Sequence, residues 1–536
     1  MKKHILFLII LALFSCVQDI DNSGTQSQSY IGGLDENDKK QFTEKDIPVT
    51  QGKDGNTVKL RFYEDMGDVP YISVSDYHKM MTGESMSVKK TNYGEYKLTN
   101  SNGSAIVNTK KETFFSNDYL AFTNMMGLYQ KDMANVYYDG MPYCRFKSVE
   151  ITPETAPLTL NYADCSIDIR GDDNAVYFPL ATINDLYSDL SYNKCCFNGE
   201  KIIVTYSAFY SDPANIDPDY YKPILKETRS AEMAAFSYNN LCFSLQHYYG
   251  YPGGAKIGNM KELGLDAALL SHGQEGRIVK ELLTSTNMTE YMAGTIMLQY
   301  YFGLDSHHSN LMIAKDKQED KTYTEQIIAI RDEKLAQCAE LTSLRNEMIK
   351  FQDDYRYIYY YNMYSRTEKY GSSDTYHTSG NTAICLLDTF TPTAKNLEAW
   401  KAFYNGNAEM PVLEDYPNDP VLVLVDSIGK AKSDPNIENL VIDISLNVGG
   451  SVDAVMFVTS LLMNKTKVYT KNTLTGQTIT TTYEIDRNLD GKFDASDDVV
   501  LHNLNIAILE SRIAYSCGNL FPAIMKDEGY PILGET

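Results

Sequence analysis

The stretch NLVIDISLNVGGSVDAV, residues Asn439–Val455, places an apolar strand, a pair of glycines and a second apolar segment in direct succession. The first part reads as a buried strand, and a helix begins near Val452. Paired glycines at such a junction indicate unusual dihedral angles or a close approach to the backbone. Two interpretations stay open: tight packing of strand on helix, or unobstructed N–H groups at Gly449 and Gly450 that stabilise an oxyanion.

The segments around this stretch alternate between strand-like and helix-like patterns. They are TAICLLDTF, PVLVLVDSIGKA, VDAVMFVTSLL and NLNIAIL. This order predicts an α/β domain with a largely buried sheet over residues 381–536.

The preceding part of the 536-residue chain is too long for one further core, so we expect several domains. Short alternating segments separated by Asn, Gly and Asp predict a β-rich region over 58–225, with the possibility of two small modules. Helical spacing predicts a helical region over 226–310 and a helical connector over 311–380. The predicted fold class is therefore multidomain α+β, with a C-terminal α/β core.

Within the connector we expect one long amphipathic helix over 325–351, whose apolar stripe packs in a core. The stripe consists of Ile328, Leu335, Cys338, Leu341, Leu344 and Met348.

Downstream of the glycines, the strand at 503–509 leads to YSCGNLFPAIMKDEG, residues 515–529. Ser516 would stand at a strand-to-helix junction, where helix-start N–H groups and the positive end of the helix dipole favour a nucleophile. A serine that only caps the helix is the commoner alternative. We interpret Cys517 as a small packed thiol, because no Cys/His signature accompanies it.

Together, the glycine and serine segments resemble the tail-specific, or C-terminal-processing, serine peptidase family, which includes the tricorn core and retinoid-binding relatives. The resemblance covers about residues 230–536 and implies a ClpP/crotonase-like core. It places Ser516 at the nucleophile, Gly449 and Gly450 at the oxyanion and Asp527 at a supporting position. LDSHHSN resembles the family's Asp-x-His stretch, which puts His307 at the histidine position.

The resemblance also implies differences from complete family members. Asn519 stands where the family carries an acidic group, and the family's Lys or Glu base would fall after Thr536. We therefore expect this sequence to be a fragment or a truncated product. Residues 311–380 lack the glycine-rich loop of a PDZ domain, so the resemblance does not extend to tail specificity. Two functions remain: a serine peptidase acting on peptides or unfolded proteins, or an inactive peptidase-like lipoprotein that binds peptide or another ligand.

The N-terminus resembles the export signal of a bacterial lipoprotein. Lys2 and Lys3 precede an apolar run too short to span a bilayer, which ends at Cys16. We expect residues 1–16 to be the signal, lipid on Cys16 to anchor the protein in the cell envelope, and residues 17–57 to form a flexible tether. The formal net charge of −23 offers no basic surface for nucleic acid, so we expect no nucleic-acid partner.

A calcium loop is the most specific local pattern in the sequence. DRNLDGKFDASD, residues 486–497, places oxygen donors at positions 1, 3, 5, 7, 9 and 12 of an EF-hand-like loop, with Gly491 at the sharp turn. An Asp/Asn/Gly-rich turn without metal is the alternative. The predicted structural calcium ligands are Asp486, Asn488, Asp490, the Lys492 carbonyl, Asp494 and Asp497.

Overall fold

The computed structural model describes residues 41–124, 140–191, 194–205, 213–224, 228–250, 255–303, 321–371, 374–498 and 502–534. The chain is a mixed α/β multidomain protein with several sheets. It divides into two compact units: residues 1–129, 151–348 and 470–478 form the first, and residues 130–150, 349–469 and 479–536 form the second. None of the helices in the described ranges has the length and apolar character needed to cross a membrane.

The first unit begins with two sheets. A seven-stranded sheet has the order β10-β11-β3-β2-β1-β13-β12, and a five-stranded sheet has the order β4-β5-β6-β7-β9. The strands up to residue 205 are β1 (Phe42–Thr50), β2 (Thr57–Tyr63), β3 (Tyr71–Ser73), β4 (Ser87–Asn92), β5 (Glu95–Thr99), β6 (Ser104–Asn108), β7 (Thr113–Ser116), β8 (Cys144–Thr152), β9 (Leu158–Asn161), β10 (Arg170–Gly171), β11 (Val176–Pro179), β12 (Lys194–Phe197) and β13 (Ile202–Thr205). The helices of this part are α1 (Val74–Thr82), α2 (Tyr119–Thr123) and α3 (Leu180–Ser191).

The predicted tether is wrong at its C-terminal end. Residues 42–50 form β1, which pairs antiparallel with β2 from Phe42 to Pro48. Ile47 and Val49 are buried, so the strand belongs to the core of the first unit. Residues 42–46 are exposed on both faces of this strand, and such a continuous polar run is also typical of a linker.

Helices make up the rest of the first unit and continue into the second. They are α4 (Ala231–Tyr248), α5 (Met260–Leu263), α6 (Leu265–Ser271), α7 (Gly273–Leu283), α8 (Met288–Phe302), α9 (Lys321–Leu335) and α10 (Ala339–Tyr370). The residues of α10 from Ile349 onward belong to the second unit.

The single helix predicted over 325–351 is wrong, because the structure breaks it into α9 and α10 at residues 336–338. The Glu275 carboxylate from α7 accepts the N–H groups of Glu340 and Leu341 at 3.0 and 2.9 Å and so caps a new helix start. Of the predicted stripe, Leu335, Cys338 and Leu341 are buried, Leu344 and Met348 pack partly against the same core, and Ile328 is exposed.

The second unit is built on a five-stranded sheet of order β14-β15-β16-β19-β20. Strands β15, β16, β19 and β20 run parallel, and β14 pairs antiparallel with β15. A separate three-stranded sheet has the order β17-β18-β8. The elements are β14 (Tyr376–Ser379), β15 (Thr382–Leu386), α11 (Ala394–Tyr404), α12 (Pro420–Ser433), β16 (Asn439–Asp443), α13 (Val452–Met463), β17 (Lys467–Lys471), β18 (Thr478–Ile485), β19 (Asn505–Glu510), α14 (Cys517–Asp527) and β20 (Ile532–Gly534).

The core of this unit lies between the parallel sheet and its helices. Leu440 and Ile442 of β16 and Ile508 of β19 are fully or almost fully buried together with most of α13. Parallel strands require crossover connections, and helices α12, α13 and α14 lie in those connections. The carboxyl ends of β15, β16 and β19 therefore meet at one edge of the sheet, which is where loops carry ligands in such folds.

Candidate active site

The Gly449–Gly450 turn lies at the carboxyl edge of the sheet, between β16 and α13. Gly449 has φ 110° and Gly450 has φ 147°, a region that side chains rarely adopt. The Phe390 N–H donates to the Gly449 carbonyl at 2.9 Å, and the Ser451 N–H donates to the Phe390 carbonyl at 2.8 Å. A Cβ on Gly450 would lie 2.1 Å from the Phe390 carbonyl carbon. Gly450 is thus needed because another backbone segment passes directly against it.

Gly449 has a different neighbour, the turn that carries Ser516. A Cβ on Gly449 would lie 2.7 Å from the Tyr515 carbonyl oxygen and 2.9 Å from Ser516 Cβ. The contact is reciprocal, since a Cβ on Gly518 would lie 2.4 Å from the Asn447 carbonyl oxygen. The structure therefore brings the predicted glycine turn and the predicted nucleophile together. The two turns can approach this closely because Gly449 on one and Gly518 on the other have no side chain.

Ser516 stands immediately before α14 and is partly exposed. Its backbone has φ 53° and ψ −123°, a strained conformation for a residue with a side chain. Its side chain makes no capping hydrogen bond to the helix, so the capping interpretation finds no support in this geometry. A serine on a strained strand-to-helix turn is the arrangement that presents a nucleophile at the top of a sheet.

Cys517 is a buried thiol beside this serine. Burial, with a smaller contribution from the charge of Asp453, raises the pKa of Cys517 to about 12, although hydrogen bonds with the Gly450 N–H and the Ser516 hydroxyl oppose the rise. The thiol therefore stays protonated near neutral pH, and a thiolate nucleophile is not available.

The predicted oxyanion donors have partners in this structure. The Gly449 N–H donates to Asn447 Oδ1 at 2.8 Å, and the Gly450 N–H is directed to the Cys517 sulfur. The Cys517 nitrogen lies 3.1 Å from the ideal Cβ position of Gly449. Because Cys517 is the first residue of α14, its N–H has no partner within the helix. This N–H is thus a donor that the sequence interpretation did not include.

Asn447 is the residue that fixes the glycine turn. It is fully buried, and its Nδ2 donates to the Leu387 carbonyl at 2.8 Å while its Oδ1 accepts the Gly449 N–H. One side chain therefore ties the loop after β16 to the end of β15. The stretch Asn439–Val455 contains this asparagine, but the sequence alone could not show its hydrogen bonds.

Asp453 is a buried acid that sequence reasoning missed. Asp453 lies in the first turn of α13, and its carboxylate accepts the Met141 N–H at 2.9 Å. Burial raises the pKa of Asp453 to about 7, and the Met141 N–H only partly opposes this. The carboxyl group thus changes charge in the neutral pH range at a point that affects Cys517 electrostatically.

The structure places Asp527, the predicted supporting residue, away from Ser516. Asp527 is the exposed last residue of α14, and a helix of this length separates it from Ser516 by roughly 15 Å. His307 lies outside the described residues. Among the hydrogen bonds of the described residues, none joins the Ser516 hydroxyl to a histidine, a lysine or a carboxylate.

The predicted calcium loop folds around its own carboxylates. Asp486 is fully buried and accepts N–H groups from Asp490 at 3.2 Å and Gly491 at 2.8 Å, and the Tyr404 hydroxyl at 2.7 Å. Asp497 accepts the N–H groups of Arg487 and Asp494. Burial raises the pKa of Asp486, and the charge of Asp497 adds to this effect.

The loop side chains do not converge on one point in this arrangement. Over the described ranges, no three or more His, Cys, Asp or Glu side chains form a group suited to a metal ion. The donor chemistry still fits calcium, because all of the predicted donors are oxygens and a cation would relieve the repulsion between two buried carboxylates.

Comparison with models of protein families gives a match to the C-terminal part of the chain. The sequence profile described as peptidase family S41 matches residues 422–536, which include the Gly449–Gly450 turn, Ser516 and the loop 486–497. A search of curated proteins found no match to the chain.

Proposed function

We propose that the protein is a serine peptidase that acts through Ser516, since residues 422–536 match the profile of peptidase family S41. The observation that carries the proposal is the strained, partly exposed serine packed against the glycine turn. Because the neighbour of Ser516 at this contact is Gly449, which has no side chain, space is left beside the serine for a peptide carbonyl.

In the proposed reaction, Ser516 Oγ attacks the carbonyl carbon of a peptide or unfolded-protein substrate. The hydroxyl proton passes to a base, and collapse of the tetrahedral intermediate releases the amine and leaves an acyl-enzyme that water hydrolyses. The Cys517 N–H is our first candidate for stabilising the oxyanion, and Gly449 becomes the second when its bond to Asn447 opens. A donor of this kind contributes about 3 kcal/mol to transition-state stabilisation. Asp527 and His307 remain predictions for supporting roles.

The experiment that tests this function is labelling with a fluorophosphonate, followed by mass spectrometry of the peptide that contains residues 515–526. We expect one adduct on Ser516 and none in Ser516→Ala. Ser433→Ala is a suitable comparison and should label normally, because this exposed serine of α12 donates its hydroxyl to the Gly429 carbonyl of the same helix at 2.8 Å. Labelling of Ser516→Ala at the wild-type rate would contradict the assignment.

A second candidate function has one observation in its favour. The Ser516 hydroxyl has no basic or acidic hydrogen-bond partner among the described residues, and the Gly449 N–H is engaged. A peptidase-like lipoprotein that binds peptide without cleaving it would show these features. Such a protein would retain an unstructured polypeptide in an equilibrium binding assay and stay unlabelled by the fluorophosphonate.

We further propose that the core has the ClpP/crotonase-like architecture of tail-specific peptidases. Four parallel strands with helical crossovers support it. An experimental structure of the second unit tests the proposal, because a different strand order would exclude that architecture.

For the loop 486–497, we propose a structural calcium ion held by Asp486, Asn488, Asp490, the Lys492 carbonyl, Asp494 and Asp497. The bonds from the N–H groups at positions 5 and 6 of the loop to Asp486 support this proposal. Calcium should raise the melting temperature of the wild type, and Asp490→Asn should reduce that rise. An equal rise with magnesium, or in Asp490→Asn, would argue against a specific calcium site.

For localisation, we propose a lipid anchor on Cys16 in a bacterial cell envelope. The sequence pattern of residues 1–16 supports it, and these residues lie outside the described ranges. Incorporation of labelled palmitate into the wild type and not into Cys16→Ser would support the anchor, and equal incorporation would refute it.

A further inference from the structure

Helix α10 contacts both loops of the candidate site through one of its faces. Ile358, Asn362 and Arg366 recur every four residues and therefore lie on the same side of the helix. Ile358 is buried in a small cluster with Leu446 and Ile513. Leu446 lies in the glycine loop, residues 444–451 after β16, and Ile513 lies in the serine loop, residues 511–516 after β19. The helix thus provides an apolar contact shared by the two segments that carry Gly449 and Ser516.

The same face is tied to the sheet by ion pairs. Arg366 Nη1 donates to Asp388 Oδ1 at 2.6 Å, and Arg366 Nε lies 3.6 Å from Asp443 Oδ2. The side chains of Arg366 and Asp443 are 11% and 3% exposed, so this pair is shielded from water. A carboxylate buried to this degree needs a cation beside it, and Arg366 is the cation at this position.

A chain of hydrogen bonds leads from this ion pair to the glycine turn. Asp443 Oδ1 accepts the Ser445 N–H at 2.9 Å. The Ser445 carbonyl accepts the Asn362 amide at 3.4 Å and the Ser511 hydroxyl at 2.8 Å. Ser445 is therefore held at once by β16, by α10 and by the turn that follows β19.

Two residues further on, Asn447 fixes the Gly449 N–H, and Gly449 packs against Ser516. The path consists of hydrogen bonds, the two residues of backbone from Ser445 to Asn447 and the steric contact of Gly449 with Ser516, the candidate nucleophile. A shift of the loop at Asp443 would consequently be transmitted to Ser516 by steric contact.

We propose that Arg366 is the positioning residue of this site: through Asp443 and Asp388 it sets the glycine loop against Ser516. The proposal rests on the proposed peptidase function for its activity readout. Arg366 makes no contact with Ser516 itself among the described hydrogen bonds and ion pairs, so its role is to hold geometry and not to take part in the chemistry.

The test compares Arg366→Gln with Arg356→Gln in the full-length protein. Arg356 lies on the same helix, is 71% exposed and pairs only at 3.8 Å with Asp353, so it is the matched control. We expect Arg366→Gln to lower the maximal rate of fluorophosphonate labelling by roughly 10- to 100-fold with little change in the inhibitor's KI, because a displacement of about 1 Å has this effect on a positioned group. Arg356→Gln should label at the wild-type rate.

Two further variants separate positioning from loss of folding. Arg366→Lys cannot contact both carboxylates in the same way, so it should give an intermediate rate. Asp388→Asn removes one partner and should give a smaller decrease that is not additive with Arg366→Gln. A labelling rate for Arg366→Gln within twofold of wild type would overturn the proposal, as would an equal loss in both arginine variants. If Arg366→Gln does not fold, a rate for Asp388→Asn equal to wild type overturns it.

Failure of the peptidase function can be distinguished from failure of this proposal. If wild-type Ser516 is not labelled, hydrogen exchange of residues 444–451 and 511–517 replaces the labelling rate. Faster exchange there in Arg366→Gln than in Arg356→Gln supports positioning by α10, and equal exchange overturns it.

Discussion

Replacing Gly449 by Ala tests the steric contact on which the candidate site depends. The new Cβ would lie 2.7 Å from the Tyr515 oxygen, 2.9 Å from Ser516 Cβ and 3.1 Å from the Cys517 nitrogen, whereas ordinary contact begins at 3.4 Å. The shortfalls are therefore 0.7, 0.5 and 0.3 Å, and all three fall on the turn that carries Ser516, the candidate nucleophile. The φ of 110° adds backbone strain for any residue with a side chain.

These contacts set the expected magnitudes. Strain of this kind costs about 1–3 kcal/mol, and overpacking costs a similar amount, so we expect Gly449→Ala to lose roughly 3 kcal/mol of unfolding free energy. A nucleophile displaced by about half an ångström leaves the range that productive sites tolerate. We therefore expect the labelling rate at Ser516 to fall at least about tenfold.

The assay combines urea unfolding with the rate of fluorophosphonate labelling measured in folded protein. Gly406→Ala is the matched control, since Gly406 has φ 69° with nothing within 4 Å of its ideal Cβ. That variant carries the backbone strain without the contact, so it should lose only about 1 kcal/mol and label normally. A Gly449→Ala protein as stable as Gly406→Ala, with wild-type labelling, would refute the steric reasoning.

Three further predictions follow from single side chains. Ser516→Gly and Ser516→Ala should both lose labelling. Glycine adopts a φ of 53° without strain, so Ser516→Gly should be more stable than Ser516→Ala by about 1 kcal/mol. Equal urea midpoints for the two variants would contradict this. Burial raises the pKa of Asp453 to about 7, so the native state binds the extra proton and the unfolding free energy should fall as pH rises from about 4 to 7. Urea unfolding at several pH values should show a smaller decrease in Asp453→Asn, on the order of 4 kcal/mol less, and parallel profiles would exclude the assignment. Asp419 is fully buried and accepts the Trp400 indole N–H at 2.9 Å and the Asn396 amide at 2.8 Å. Asp419→Ala should therefore lower the unfolding free energy by on the order of 3 kcal/mol. A decrease below about 1 kcal/mol in urea unfolding would show that these donors find other partners.

The elements around the candidate site were predictable because their signals are local. The apolar run of β16, the paired glycines and the serine after β19 each lie within a few residues of the feature they determine. The order of strand and helix segments then indicates a parallel sheet, and its carboxyl edge collects the loops.

Other features depend on contacts between distant residues and could not be read from local patterns. Glu275 interrupts the predicted helix because its carboxylate caps residues 65 or more positions away. Arg366 reaches Asp443 across the fold, and nothing in its own segment distinguishes it from the exposed Arg356. The engagement of the Gly449 N–H by Asn447 likewise depends on the closed shape of one turn.

The way in which Ser516 is held differs from the way in which a helix cap is held. The side-chain oxygen of a cap accepts a hydrogen bond from a backbone N–H of the first helical turn, and this bond allows ordinary backbone angles. Ser516 has neither that bond nor such angles. Its conformation is instead enforced by close packing of Gly449 and Gly518 across two loops that leave β16 and β19, whose register pairs Asp443 with Leu509. Strain of this type persists only where the surroundings impose it, and the surroundings here are strands, glycines and the Arg366 ion pairs, so the geometry of the serine turn is fixed before any substrate binds.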